Sequence, residues 1–335
     1  MNVFELTRAL VDIDSVTPNE EEAGVYLADY LRGLAERTGG HVETMGVEPH
    51  RFNVFAYWGE PVVTLSTHMD TVPPFYASRE DEEFIWGRGA CDTKGIIASM
   101  IKAMEGLLAA GERDFGLLFV VGEERNSAGA YFAAQHPRGS RYIINGEPTE
   151  NKLALGSKGA LRFEIISSGK MAHSAYPELG ESAIEKLLDA LERIRKIELP
   201  VDPILGASTL NIGTITGGRA PNVIPDHAMA EIFIRLVGDG DSTRTAMAEA
   251  VKGLAEAREI LCIPALHLES LEGFETSVVS FTTDIPAFGT AWGRPLLFGP
   301  GSIHFAHTDA ERVAKAELLE AVEIYQRIVR QLKQK

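Results

Sequence analysis

Three short apolar runs constrain this chain more than any other feature: Pro61-Val62-Val63-Thr64-Leu65, Leu117–Val121 and Tyr142–Ile144. A strand with one wet face alternates apolar and polar residues, whereas a strand apolar throughout needs cover on both sides. Between the first two runs lies Lys94–Ala110, rich in good helix formers and closed by Gly111. Buried strands alternating with helices predict an α/β fold, a mostly parallel sheet with helices on both faces. Ligands in such sheets bind beyond the carboxyl ends of the strands. With 335 residues the chain exceeds one ordinary core and has room for two domains.

Taken in order, Phe4–Val11 has helical spacing of apolar residues, and Thr17-Pro18-Asn19-Glu20 reads as a capping box with proline at the first helical position. The helix it starts should reach Gly39-Gly40. Val42–Met45 and Asn53–Tyr57 are further strand candidates. After about residue 157 the rhythm changes. Leu161–Ser167 reads as strand, Glu181–Lys196 as helix, Thr209–Thr216 and Ala228–Leu236 as strands, Thr243–Ala257 as helix and Leu266–Ser270 as strand. That β-α-β-β-α-β order suits a compact ferredoxin-like unit. The chain then returns to loops bearing glycine and histidine, Gly299–His307, and a final helix over Asp309–Leu332. The expected organisation is therefore a domain of residues 158–270 inserted into one built from 1–157 and 271–335.

Net charge of −16 argues against nucleic acid or an anionic membrane as partner. Two cysteines, Cys91 and Cys262, cannot make a disulfide framework, so a cytoplasmic location is expected. The first residues lack a basic-then-apolar signal pattern, and no apolar stretch reaches transmembrane length.

Candidate chemistry gathers at five places, most of them where a strand ends. His68 and Asp70 follow the first apolar run, so a carboxylate can lie beside the imidazole and fix its tautomer. Asp92 sits in GRGACDTKG, a glycine-rich turn at a helix N-terminus, where its plain alternative is an N-cap. Glu123 and Glu124 close a buried strand, and adjacent carboxylates there repel unless a cation neutralises them. Glu147 in INGEPT ends another strand, and His307 lies on the loop feeding the last helix. Oxygen and imidazole donors without thiolates suit zinc, manganese or cobalt. A carboxylate between two ions about 3.5–4 Å apart is a standard hydrolytic arrangement. One acid must stay unligated to move a proton, and the pair at 123–124 has one to spare. His173 alone reads as a surface turn, and Arg235 as one half of a surface ion pair.

These segments resemble the M20 family of metallopeptidases and deacylases, which includes acetylornithine deacetylase, succinyl-diaminopimelate desuccinylase and carboxypeptidase G2. The likeness runs over essentially the whole chain, with the motifs in family order. It implies a zinc-peptidase-like catalytic domain with an inserted lid and dimerisation domain, and two zinc ions, replaceable by cobalt or manganese. Carried over position by position, His68 and Glu147 resemble ligands of the first metal, His307 (in A-H-x-x-x-E) and Glu124 ligands of the second, and Asp92 the carboxylate between them. Asp70 resembles the acid supporting His68, Glu123 the general base, and His173 in MAHSAYP the histidine that stabilises the oxyanion, often across a dimer. Asn222 in GGRAPNVIP and Arg235 in EIFIRL resemble substrate-binding positions. GPGSI followed by A-H is most similar to the acetylornithine deacetylase branch, so the resemblance implies hydrolysis of a small N-acyl amino acid. Desuccinylase, dipeptidase and carrier-protein-linked lysine or ornithine hydrolase are the family alternatives. A two-metal phosphoesterase and a non-catalytic amino-acid-binding relative stand outside that reading. A basic product would call for acids in the pocket, for which Asp284 and Glu311 are candidates.

Overall fold

Strands that are apolar on both sides stack here into one sheet. The computed structural model describes residues 1–335. A six-stranded sheet runs in the order His41–Glu48, Arg51–Trp58, Phe115–Val120, Val63–His68, Tyr142–Asn145 and Arg294–Leu297. The last four pair in parallel, and only Arg51–Trp58 runs against its neighbours. Alternate residues serve alternate faces. Val54, Ala56, Leu65, Phe115, Leu117, Phe119 and Ile144 pack against the helices Val3–Val11, Glu21–Thr38, Lys94–Ala109 and Lys315–Lys333. Phe55, Leu118, Val120 and Ile143 face the other way, onto Ala130 and Ala133 of the helix Ala128–Gln135 and onto Phe288 and Trp292. Each large side chain so buried contributes roughly 1.5–3 kcal/mol.

Register sets the site. His68 lies opposite Val120, so the chain leaving Val120 turns into Glu123 and Glu124 beside it. Ser66 lies opposite Asn145, which puts Glu147 level with His68 on the next strand.

The chain divides into two compact units, one of Met1–Leu155, Leu268–Ser277 and Thr283–Lys335, the other of Gly156–His267 and Val278–Thr282. The second carries a four-stranded antiparallel sheet in the order Thr209–Gly217, His227–Leu236, Gly159–Ser168, Glu256–Ile263. This is the ferredoxin-like strand order, with Ala183–Ile194 and Asp241–Val251 packed over Leu161, Ile165, Ile232 and Ile234.

Four local expectations differ from the structure. Glu20 caps Glu21–Thr38 without a side-chain bond, and the capping box forms instead at Asn2 and Glu5. Thr17 is absent from that cap because its hydroxyl donates to Asp70. The helix expected over 243–257 ends at Val251, just before Gly253, whose φ is +77°, and the outer strand is Glu256–Ile263, not 266–270. The last helix begins at Lys315, because Arg312–Ala314 first pairs with Phe84–Trp86. No helix is long and apolar enough to cross a membrane.

Trp292 is fully buried, meets Phe55 edge to face at 5.2 Å, and donates its Nε1–H to the Ala133 carbonyl at 2.8 Å. Trp292→Ala should destabilise the larger unit by about 3–5 kcal/mol, read from chemical denaturation. An unchanged denaturation midpoint would contradict this assignment of the second face.

Candidate metal and catalytic centre

Four loops at the carboxyl edge of the parallel strands bring the acids and imidazoles together. His68 ends its strand with a buried ring whose Nδ1 is 2.9 Å from the Asp70 carbonyl oxygen and whose Nε2 is 3.1 Å from Asp92 Oδ1. The other oxygen of Asp92 is 3.3 Å from His307 Nε2, and that nitrogen lies 3.1 Å from Glu124. Ligand atoms of His68, Asp92 and Glu124 all fall within 4.8 Å of one another. Glu147 is buried beyond its strand, and its Oε1 has no hydrogen-bond partner.

Hydroxyls tie these loops together. Thr93 Oγ1 donates to the His68 carbonyl at 2.7 Å, and Thr67 Oγ1 lies 2.7 Å from the Gly146 carbonyl and 2.9 Å from Thr93 Oγ1. Asn53, fully buried, accepts from Val121 N–H and donates to the Gly129 carbonyl, closing the loop that carries Glu123 and Glu124. That loop turns at Gly122 with φ +81°, where a Cβ would also come within 2.8 Å of Arg51 Nη2.

Asp70 has a second task beside the one expected. The strand ends at His68, so strict alternation no longer governs residue 70, and its carboxylate stays 3.6 Å from the imidazole. The Asp70 backbone carbonyl is the nearer partner of the ring, leaving Nε2 free toward Asp92. The carboxylate accepts the N–H groups of Gly122, Glu123 and Glu124 and the Thr17 hydroxyl. Burial works against its charge, but His68, Thr17 and the Glu124 amide prevail and hold it below the usual carboxylate range.

Glu311 is likewise committed to the scaffold. Its Oε2 pairs with Arg88 at 2.5 Å, while Oε1 accepts the N–H groups of Gly89, Cys91 and Asp92. It braces the loop of Asp92. Asp284 is fully buried with neither carboxylate oxygen hydrogen-bonded, and burial pushes it up to about 7.

Charge is badly balanced here. Burial and neighbouring acids push Glu123 and Glu147 well above the ordinary carboxylate range. Asp92 stays below it despite burial, through its hydrogen bonds with His307 and His68. His307, between Asp92 and Glu124, is pushed up to about 10. Buried carboxylates in excess over fixed cations, with imidazoles on both oxygens of one of them, fit a pair of divalent ions by donor chemistry.

His173, Asn222 and Arg235 belong to the second unit. Ala172-His173 pairs with Val223-Ile224, and Ser174 N–H donates to the Asn222 carbonyl at 3.0 Å, so the histidine and the asparagine are neighbours. Arg235 stacks over Phe233 at 4.8 Å and makes no ion pair, contrary to the plain surface reading. Asn53, Thr67 and Thr93 escaped the sequence reading, since short polar side chains beside site residues carry no spacing signal, and Thr17 was read only as a helix cap.

The model of Peptidase family M20/M25/M40 matches residues 64–331. A peptidase M20 domain-containing protein of Schizosaccharomyces pombe is 39% identical, over 98% of this chain and 84% of its own length. A probable carboxypeptidase of Aspergillus niger is 36% identical, over 96% and 88%. Among solved structures, a Staphylococcus aureus tripeptidase has a TM-score of 0.82 at 21% identity, covering 100% of this chain and 98% of its own. A Bacillus subtilis protein described as a dinuclear metal binding peptidase of the M20 family has a TM-score of 0.69 at 18% identity, covering 98% and 96%.

An imidazole must be neutral to bind a cation, and His307, pushed up to about 10 by its hydrogen bonds with Asp92 and Glu124, must give up a proton to do so. Cation affinity should therefore rise with pH between 6 and 8, by about tenfold per unit for each proton displaced. Titration of chelator-stripped protein with Co²⁺ in weak buffer should release protons. Affinity independent of pH, with no proton release, would contradict this electrostatic assignment.

Proposed function

This chain belongs to peptidase family M20/M25/M40, and on that footing we propose that it hydrolyses the amide bond of a short peptide or N-acyl amino acid, with two divalent cations as cofactors. The observation that carries this reading is Asp92, whose two oxygens face different imidazoles, His68 at 3.1 Å and His307 at 3.3 Å. His68 and Glu147 would hold one ion, His307 and Glu124 the other, with Asp92 shared. The donor set favours zinc, with cobalt or manganese able to replace it. When bound, the ions supply Lewis acidity and bring the pKa of a water toward neutrality.

Glu123 is the acid left over. It accepts a proton from the attacking water and delivers it to the departing amine as the carbon–nitrogen bond breaks. Its backbone N–H is held by Asp70, so the carboxylate is presented from a braced loop. We assign His173 to the oxyanion and Asn222 and Arg235 to the substrate, Arg235 because its guanidinium has no acidic partner of its own. The inserted unit would act as lid and as a homodimer surface, since the edge strand Thr209–Gly217 leaves a row of backbone groups unpaired. Two cysteines without a disulfide suit a cytoplasmic setting.

Two substrate classes compete within this reading. The resemblance of GPGSI and its following A-H supports acetylornithine deacetylation. The withdrawal of Glu311 onto Arg88 removes one acid a basic side chain would need, and the relative named a carboxypeptidase supports peptides. We favour short peptides. Family membership leaves the phosphoesterase without support.

A panel of di- and tripeptides, N-acyl amino acids and acetylornithine, assayed with Zn²⁺, Co²⁺ and Mn²⁺, tests the proposal. Free amine should appear from at least one peptide. Glu123→Gln should cut kcat by about a thousandfold while elemental analysis still finds two ions per chain. Retained turnover in that variant would remove Glu123 from the role of base. Binding without turnover by the unaltered protein would favour the non-catalytic relative.

A further inference from the structure

We propose that Thr17 is a positioning residue for catalysis: its hydroxyl, donated to Asp70, sets the loop that presents Glu123 and Glu124. The inference rests on the reading of those two residues as base and ligand. It goes beyond it by assigning a role to a segment of the chain far from either.

The residues Ile13–Thr17 form a strap laid along Met69–Thr71. Val16 and Thr71 make a parallel bridge, Thr71 N–H donates to the Ser15 carbonyl, and Thr17 N–H donates to the Thr71 carbonyl. Ser15 Oγ donates to the Met69 carbonyl at 2.7 Å. From this strap one side chain reaches the carboxylate of Asp70, the Thr17 hydroxyl at 2.7 Å. The same hydroxyl is 3.5 Å from the Thr71 carbonyl, so its proton goes to the nearer, charged acceptor.

Asp70 has no contact with water, and its donors divide between its oxygens. Oδ1 accepts from Gly122 N–H at 2.9 Å and Glu123 N–H at 3.1 Å. Oδ2 accepts from Glu124 N–H at 3.2 Å and from Thr17. The three amides come from one stretch and would rotate with the carboxylate as a set. Thr17 is the donor anchored elsewhere, and it fixes the rotation of the carboxylate about its own axis. Without the hydroxyl, Oδ2 keeps only its longest bond, and the amides of Glu123 and Glu124 lose their fixed reference. The opposite end of the strap holds the other half of the site, since Lys94 Nζ donates to the Ile13 carbonyl at 2.6 Å from the helix that follows Asp92. One short segment thus ties the loop of Asp92 to the loop of Glu123.

Four variants of the full chain, loaded with Zn²⁺, test this: Thr17→Val, Thr17→Ala, Thr17→Ser and Ser15→Ala. Hydrogen exchange read by mass spectrometry over residues 121–127 is the first measurement. Thr17→Val and Thr17→Ala should speed exchange there by about fivefold to tenfold, with the inserted unit unchanged. Thr17→Ser, which keeps the hydroxyl, and Ser15→Ala, which loosens the strap without touching Asp70, should match the unaltered protein over 121–127. On any substrate the unaltered protein turns over, kcat should fall by about tenfold in Thr17→Val, with KM and cation content unchanged, and return in Thr17→Ser. Unchanged exchange at 121–127 in both hydroxyl-free variants overturns the proposal. So does acceleration spread evenly over the larger unit, or an equal effect of Ser15→Ala, since either makes the strap mere packing. Exchange decides the matter even if no peptide is hydrolysed, an outcome that would count against the hydrolase reading alone.

Discussion

Negative charge crowded at one edge of a sheet is the constraint from which the rest of this structure follows. Asp92, Glu123, Glu124, Glu147 and Asp284 gather around two imidazoles, and Asp92, Glu147 and Asp284 have almost no exposure to water. Burying charges of one sign costs several kcal/mol per group unless counter-charge is supplied. Lys94 and Arg88, the nearby protein cations, point away from the cluster, to the Ile13 carbonyl and to Glu311. The balance is left for ions that the chain itself does not carry.

The scaffold meets the strain of that crowding in the same way twice. Asp70 and Glu311 are buried carboxylates that take no place in the ligand set, and each accepts three backbone N–H groups from one site loop. Amides converging on an anion are a stiff support, because their dipoles are fixed by the backbone. Glu311 has Arg88 as its second anchor and Asp70 has Thr17. The loops of Asp92 and of Glu123 are thereby held through their backbone amides, which leaves their carboxylates out of the bracing.

Much of this was legible in the residues. Val63–His68, Phe115–Val120 and Tyr142–Asn145 lie within three residues of the runs that announced them, because strands buried on both faces have little choice of composition. The convergence of His68, Asp92, Glu124 and His307 followed from acids and imidazoles placed where parallel strands end. Edges were harder. EAREILCI has neither clean alternation nor a continuous apolar run, since it is an outer strand exposed along much of its length; its first two residues read as the end of the preceding helix and the rest as no element. Thr17 was read as a cap because its four-residue pattern suited a local bond, and a tertiary acceptor 53 positions away won instead. Asp70 was expected beside the imidazole, and its carboxylate does lie 3.6 Å away, but its bonds to the loop amides left no mark in the spacing.

The most direct measurement is anomalous scattering from crystals of the zinc-loaded protein, recorded on both sides of the zinc absorption edge. The account predicts two peaks flanking the carboxylate of Asp92, one beside His68 and Glu147, the other beside His307 and Glu124. A single peak, or peaks that leave Asp92 out of contact with both, would contradict it.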